Sequence, residues 1–334
     1  MRKIGCFSPA AWFLTLGVFL LTWTAPAAAE KKNLKFGADW AFYGVHAPFF
    51  VAQEKGFYKA QGLKVKMSRG YGSSGVLKEL VAGTNHFGFG DAGATMLGRA
   101  KGHKAKLVGV FYEQAPFLIY TKKNSGITKP KDLEGKRIAM AAADINKTLF
   151  KPFAKATGID ESKVTFVIVQ PSAKLSTFLS GKADGCGFFV TLDPLMNKVT
   201  KKFGGYNRIM YAHHGVDIYS NAIVGMDEFI KANPGSTRGF MQALIKSYKY
   251  TFDHPDEATQ ILLKSQPHLN AKISRETITA LEDLLVMTPA AKKNGLGYMT
   301  KEKMKRTRDI VLTAFNTDPN KVSLKDAYTN EFLK

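Results

Sequence analysis

Apolar and polar positions along the chain switch repeatedly between a period of two and a period near 3.6. Leu34–Asp39 (LKFGAD) reads as a strand. Pro48–Ala60 reads as a helix closed by the Gln61-Gly62 turn, and Leu63–Met67 (LKVKM) alternates apolar and charged residues as a strand does. Ser74–Ala82 is amphipathic at helical spacing and stops at Gly83. His86–Gly90 is again a strand, Thr95–Lys101 a helix and Ala105–Tyr112 a strand. Strands separated by helices of about ten residues imply βαβ units around a mostly parallel sheet.

The same grammar then repeats. Arg137–Ala141 is a strand, Thr148–Thr157 a helix ended by Gly158, and Val164–Val169 a strand; Leu175–Ser180 ends a helix at Gly181 before the strand Gly185–Val190. The copies agree in detail. Leu80-Val81-Ala82-Gly83 precedes Gly88-Phe89-Gly90, and Phe178-Leu179-Ser180-Gly181 precedes Gly185-Cys186-Gly187. After a last strand, Asp217–Val224, the pattern is helical: Met226–Ala232, Ser236–Phe252, Asp256–Lys264, Ser274–Met287 and Thr300–Phe315. The expected fold is α/β with two lobes, each a mixed, mostly parallel sheet flanked by helices. Residues 30–115 with 222–334 form lobe 1 with its C-terminal helices, and 116–221 form lobe 2. The chain is expected to cross twice, near Glu113–Tyr120 and Ser220–Gly225, which makes a two-segment hinge beside a cleft.

The N-terminus changes where this fold belongs. Arg2 and Lys3 precede the mostly apolar run Ala11–Trp23, which is shorter than the ~20 residues of a spanning helix. Ala27 and Ala29 then fit the A-x-A rule, so residues 1–29 read as a signal peptide cleaved after Ala29, and the mature chain is expected in the periplasm. Cys6 leaves with that segment. Cys186, alone between two glycines on an apolar strand, reads as a buried structural thiol. The net charge of +21 admits anionic partners, but the lysines are spread along the whole chain. No zinc-finger spacing or aromatic RNA-binding signature accompanies them, so no nucleic-acid partner is expected, and no metal or cofactor site is indicated.

In open α/β sheets ligands bind beyond the carboxyl ends of the strands, which singles out four regions. The first, Asp39–Pro48, carries Trp40, Phe42 and Tyr43 in a loop; they stack on a flat ligand or plug the lobe's edge, and His46 donates a hydrogen bond or caps the helix. In the second, Gly70–Gly75, Ser73 or Ser74 caps a helix, and the serines with the helix's N–H groups either form an anion site or serve as caps only; no Walker lysine follows. In the third, Gly90–Thr95, Asp91 accepts from a ligand amine or caps the next helix. The fourth region belongs to lobe 2: Ala143–Thr148, with Asn146 and with Lys147, which is placed to pair with an anion, and Phe188–Thr191, where Phe188 or Phe189 closes an aromatic sandwich.

At this point the chain resembles a known family. Asp39-Trp40, His46-Ala47-Pro48-Phe49-Phe50-Val51-Ala52, Lys55-Gly56-Phe57-Tyr58 and Gly62-Leu63 are similar to the opening of the NMT1/THI5-like (SsuA-like) proteins. Asp132-Leu133-Glu134-Gly135-Lys136, Gly181-Lys182-Ala183-Asp184-Gly185 and Asp227–Pro234 extend the likeness over about residues 33–315. The resemblance implies a type II periplasmic-binding-protein fold serving an ABC importer. Its partners would be a small-molecule ligand and a membrane permease, and the protein itself would be a monomer and not an enzyme. The aromatic loops themselves favour an aromatic or heterocyclic ligand and the serine loop and net charge an anionic group, as in a nutrient such as a vitamin precursor, with a sulfonate- or nitrate-type anion as the alternative. One branch of the family builds the thiamine pyrimidine from its own histidine and pyridoxal phosphate. At that branch's lysine and histidine this chain has Gly90 and Ala94, and Gly215–Tyr219 stands at its cysteine-rich motif. Phe189 stands where pyrimidine binders carry a glutamate.

Overall fold

The computed structural model describes residues 1, 2, 5 and 32–334. The expected signal peptide, with Cys6 and the cleavage point, therefore lies outside the described residues apart from those three. Strands β1 (Lys32–Gly37), β2 (Leu63–Ser68), β3 (Phe87–Asp91) and β4 (Ala105–Val110) belong to one sheet. The chain then builds a second from β5 (Phe117–Lys122), β6 (Arg137–Met140), β7 (Thr165–Ile168), β8 (Gly185–Phe189) and β9 (Tyr206–Met210), before β10 (Asn221–Met226) returns to the first. The orders are β2-β1-β3-β10-β4 and β7-β6-β8-β5-β9. Each sheet is parallel except around one inserted antiparallel strand: β10 between β3 and β4, and β5 between β8 and β9. The two sheets thus share one plan, in the two-lobed, mixed-sheet arrangement that the repeated pattern predicts.

Helices α1 (Ala47–Glu54), α2 (Phe57–Ala60), α3 (Ser73–Val81) and α4 (Ala92–Ala100) flank the first sheet, and α5 (Ile145–Thr157), α6 (Lys174–Leu179) and α7 (Asp193–Val199) the second. The C-terminal part supplies α8 (Asp227–Ala232), α9 (Pro234–Asp253), α10 (Pro255–Ser265), α11 (Ala271–Leu281), α12 (Pro289–Asn294) and α13 (Lys301–Ala314). The helix expected over Pro48–Ala60 is split, because Gly56 adopts a left-handed conformation (φ 70°) between α1 and α2. The Gly-x-Gly repeat has a packing cause. A Cβ on Gly90 would press on Val76 of α3, and one on Gly187 would come within 3.0 Å of Asn146 Cβ, so each pair lets a helix lie close on its sheet.

Packed rings hold each lobe. Phe36 meets Phe49 edge-on at 4.9 Å and Phe87 stacks on Phe240 of α9 at 4.8 Å; in the second lobe Phe153 stacks on Tyr211 at 4.2 Å. Helix α13 serves both lobes: Val311 is buried with the second lobe's core, and Met304 and Leu312 with the first. The two crossing segments run side by side, with Tyr112 N–H donating to Asn221 O and Ser220 N–H to Tyr112 O, both at 3.0 Å. The crossings are shorter than the sequence suggests. Phe117–Tyr120 is already β5 and Asn221–Gly225 already β10. Among the described residues no helix is long and apolar enough to cross a membrane.

Candidate ligand-binding cleft

A cavity of about 370 Å³ opens between the lobes. It is bounded by the loop after β1 (Asp39–Gly44), the start of α3 (Gly72, Ser73), the start of α5 (Asp144–Asn146), Lys174 at the start of α6, and the end of β8 (Phe188, Phe189). These are the carboxyl ends of parallel strands and the helix starts that follow them, where an open α/β sheet leaves room for a ligand. A further wall comes from His268–Asn270 and the first turns of α11.

Six of the nine residues singled out in the sequence line this cavity: Trp40, Tyr43, Ser73, Asn146, Phe188 and Phe189. The other three lie elsewhere. His46 is fully buried behind the first loop. Its Nδ1 accepts from Tyr43 N–H at 3.2 Å, which leaves the proton on Nε2 to donate to Asp39 Oδ1 at 2.9 Å. His46 therefore orients Asp39, whose Oδ2 accepts from Asn221 Nδ2 at 2.8 Å. Asp91 caps α4, accepting from Ala94 N–H at 2.9 Å; burial raises its pKa to about 7. Ser74 faces a separate groove along α3 and α5, together with Lys78, Lys147 and Lys151. The serines do not cap α3 either: Gly72 holds the capping position, and Ser73 Oγ accepts from Asp91 N–H at 3.2 Å.

Among the described residues, the contacts that join the two sides of the cleft include α11 against α7 and three at the loops named above. Tyr43 Oη lies 3.4 Å from Thr191 Oγ1. Gly72 (φ 121°) approaches Ala143 so closely that a Cβ would run into its carbonyl. Lys174 Nζ sits 4.9 Å from the Trp40 ring centroid and 4.1 Å from that of Phe188.

Lys174 is the central residue that sequence reasoning missed. It is 1% exposed, and its ammonium is ion-paired and hydrogen-bonded to Asp144 Oδ2. Asp144 also starts α5, with Oδ1 accepting from Asn146 N–H at 3.0 Å and from Asn146 Nδ2 at 3.3 Å. Burying two charges is tolerated because they neutralise each other and the carboxylate's remaining acceptor capacity is used. A cleft with aromatic walls, one oriented carboxylate and one buried ion pair can stack on a flat ring and hydrogen-bond its edge. Lys147, the lysine expected to meet an anion, lines the separate groove.

The sequence profile described as NMT1/THI5 like matches residues 44–258. The chain is similar to the 4-amino-5-hydroxymethyl-2-methylpyrimidine phosphate synthase of Legionella pneumophila, 24% identical over 75% of this chain and 78% of that protein. It is also similar to the riboflavin-binding protein RibY of Chloroflexus aurantiacus, 22% identical over 86% of this chain and 82% of that one. In fold it is similar to the alkanesulfonate-binding protein SsuA of Xanthomonas axonopodis pv. citri bound to MOPS. The TM-score is 0.71 at 15% identity, over 90% of this chain and 99% of that one. The architecture is therefore the two-lobed type II periplasmic-binding-protein fold.

Proposed function

This chain belongs to the NMT1/THI5-like family, and we propose that it binds a flat aromatic or heterocyclic small molecule between its lobes and delivers it to an ABC importer. The observation that carries this reading is the convergence of Trp40 and Tyr43 from one lobe with Phe188 and Phe189 from the other on a single cavity. Rings supply large contact area at low entropic cost, and a ligand touching both lobes stabilises the closed form relative to the open one. On this reading residues 30–115 and 222–334 form the first lobe and 116–221 the second. The mature chain acts as a periplasmic monomer that presents its closed form to the permease.

Binding proteins and a synthase both occur among the relatives. The binding role is favoured for this chain because Gly90 and Ala94 offer no side-chain chemistry where the resemblance sets the synthase's lysine and histidine, and neither residue lines the cleft. The buried ammonium of Lys174 supports a second reading, a small organic anion such as a sulfonate. Asp144 offsets that charge, so the ring-binding reading is preferred.

Native mass spectrometry of the purified protein is expected to show a co-purifying small aromatic or heterocyclic molecule. Adding that molecule at about 100 times its Kd should stabilise the fold by roughly 2.7 kcal/mol. Trp40→Ala should weaken its binding at least tenfold, with a much smaller effect on the melting temperature of the ligand-free protein. Equal affinity in Trp40→Ala and wild type would remove the aromatic cleft as the binding site, and turnover of the bound molecule would overturn the binding role.

A further inference from the structure

Asn146 is 1% exposed, lines the cleft, and has a side-chain orientation fixed by its surroundings. Its Nδ2 donates to Asp144 Oδ1 at 3.3 Å; turning the amide over would set two oxygens against each other. The amide oxygen is thereby committed to the other side, where Oδ1 is buried and makes no hydrogen bond among the described residues. A buried acceptor of this kind is costly unless a donor reaches it. The same carboxylate holds Lys174, whose ammonium has three N–H donors; Asp144 Oδ2 takes one, and the rings of Trp40 and Phe188 face the charge. One aspartate thus ties down both an acceptor with no partner and a donor with spare capacity, on the second-lobe side of an aromatic-lined cavity.

We infer that Asn146 Oδ1 and Lys174 Nζ together read one edge of the ligand, and that this edge presents an N–H donor beside a carbonyl or ring-nitrogen acceptor. The inference rests on the proposed aromatic-ligand reading and narrows it to flat heterocycles with a lactam-type edge. Asn146 accepts from the ring N–H, Lys174 donates to the neighbouring acceptor, and the ring lies against the aromatic walls. Asp144 is a positioning residue. Its oxygens are occupied by the start of α5 and by Lys174, so it serves the ligand only through these two neighbours. Arenes that lack the N–H strand the Asn146 oxygen and are rejected by that cost.

Calorimetric titration and thermal shift with matched probes test this. The probes are uracil, hypoxanthine and lumichrome, their analogues methylated at the lactam nitrogen, and naphthalene-2-sulfonate. At least one lactam is expected to bind, and its N-methyl analogue to bind about tenfold or more weakly. Asn146→Ala should erase that difference between parent and methylated probe. An Asp144→Asn/Lys174→Met double variant removes the donor without stranding a charge and keeps an amide oxygen at the start of α5, so it should fold and bind the lactam at least tenfold more weakly. Equal binding of parent and methylated probes, or an unchanged preference in Asn146→Ala, overturns the inference. Binding of naphthalene-2-sulfonate alone also overturns it while leaving the aromatic cleft standing. If no probe binds, the lactam-edge inference falls, and a co-purifying molecule of another class would show whether the aromatic-cleft reading survives.

Discussion

Asp91 shows how a residue that sequence marks as chemically interesting can be spent on the fold. Its carboxyl is buried at the end of β3, and one oxygen holds the start of α4. Burial raises its pKa from an ordinary 3.8 to about 7. The sign of the consequence follows from linkage. Between about pH 4 and pH 7 the folded state keeps a proton that the unfolded state has released, so the Asp91 contribution is most favourable below about pH 4 and is lost as pH rises through 7. Asp91→Asn keeps the capping oxygen and removes the titration. Thermal melts should therefore show the variant more stable than wild type at pH 8, with the gap closing towards pH 5. A constant difference across that range would show that Asp91 titrates normally. His46 teaches the same lesson. Its polarity suggested a ligand contact, but its burial was invisible in the sequence, and its proton goes to Asp39.

The start of α3 decides how closely the lobes approach at the scale of single elements. Gly72 has φ 121°, a region L side chains avoid, and sits directly against Ala143 of the other lobe. Gly72→Ala adds backbone strain and a clash across the cleft. The strain alone is expected to cost on the order of 1 kcal/mol or more of stability. The clash falls only on the closed form, so affinity for a co-purifying ligand should fall by more than the stability loss accounts for; an unchanged Kd would show that closure does not need this contact. The α3 turn was legible as a small-residue loop, yet the expected serine caps were not, because Gly72 takes the capping position and Ser73 turns to Asp91. Most βαβ elements could be read from the sequence because each obeys a local period. The strands β5 and β9 could not. Phe117–Tyr120 is apolar on both faces, as a central covered strand must be, and Tyr206–Met210 is a short edge strand with mixed residues. The aromatic walls were legible as rings placed in the loop after the first strand and at the carboxyl end of another strand. Lys174 was not, since its partner Asp144 lies in a different βαβ unit and only the folded sheet brings the two together.

The whole molecule separates its charge from its cleft. The chain carries a formal +21, but the cleft holds Lys174 cancelled by Asp144, together with Asp39 tied to His46 and Asn221. Lys78, Lys101, Lys147 and Lys151 instead line a groove outside it, and among the described residues none of them makes an ion pair. Mobile ions screen exposed charges beyond about 10 Å at 0.1 M salt, but barely affect a buried, mutually neutralised pair. If ligand recognition rests on rings and hydrogen bonds, the Kd of the co-purifying molecule should change less than about threefold between 50 and 500 mM NaCl. Retention of the same protein on a cation-exchange surface, which reads the exposed lysines, should collapse over that range. A steep salt dependence of Kd would instead mean that the outer lysines draw in an anion, and would favour the sulfonate-type reading over the ring-binding one.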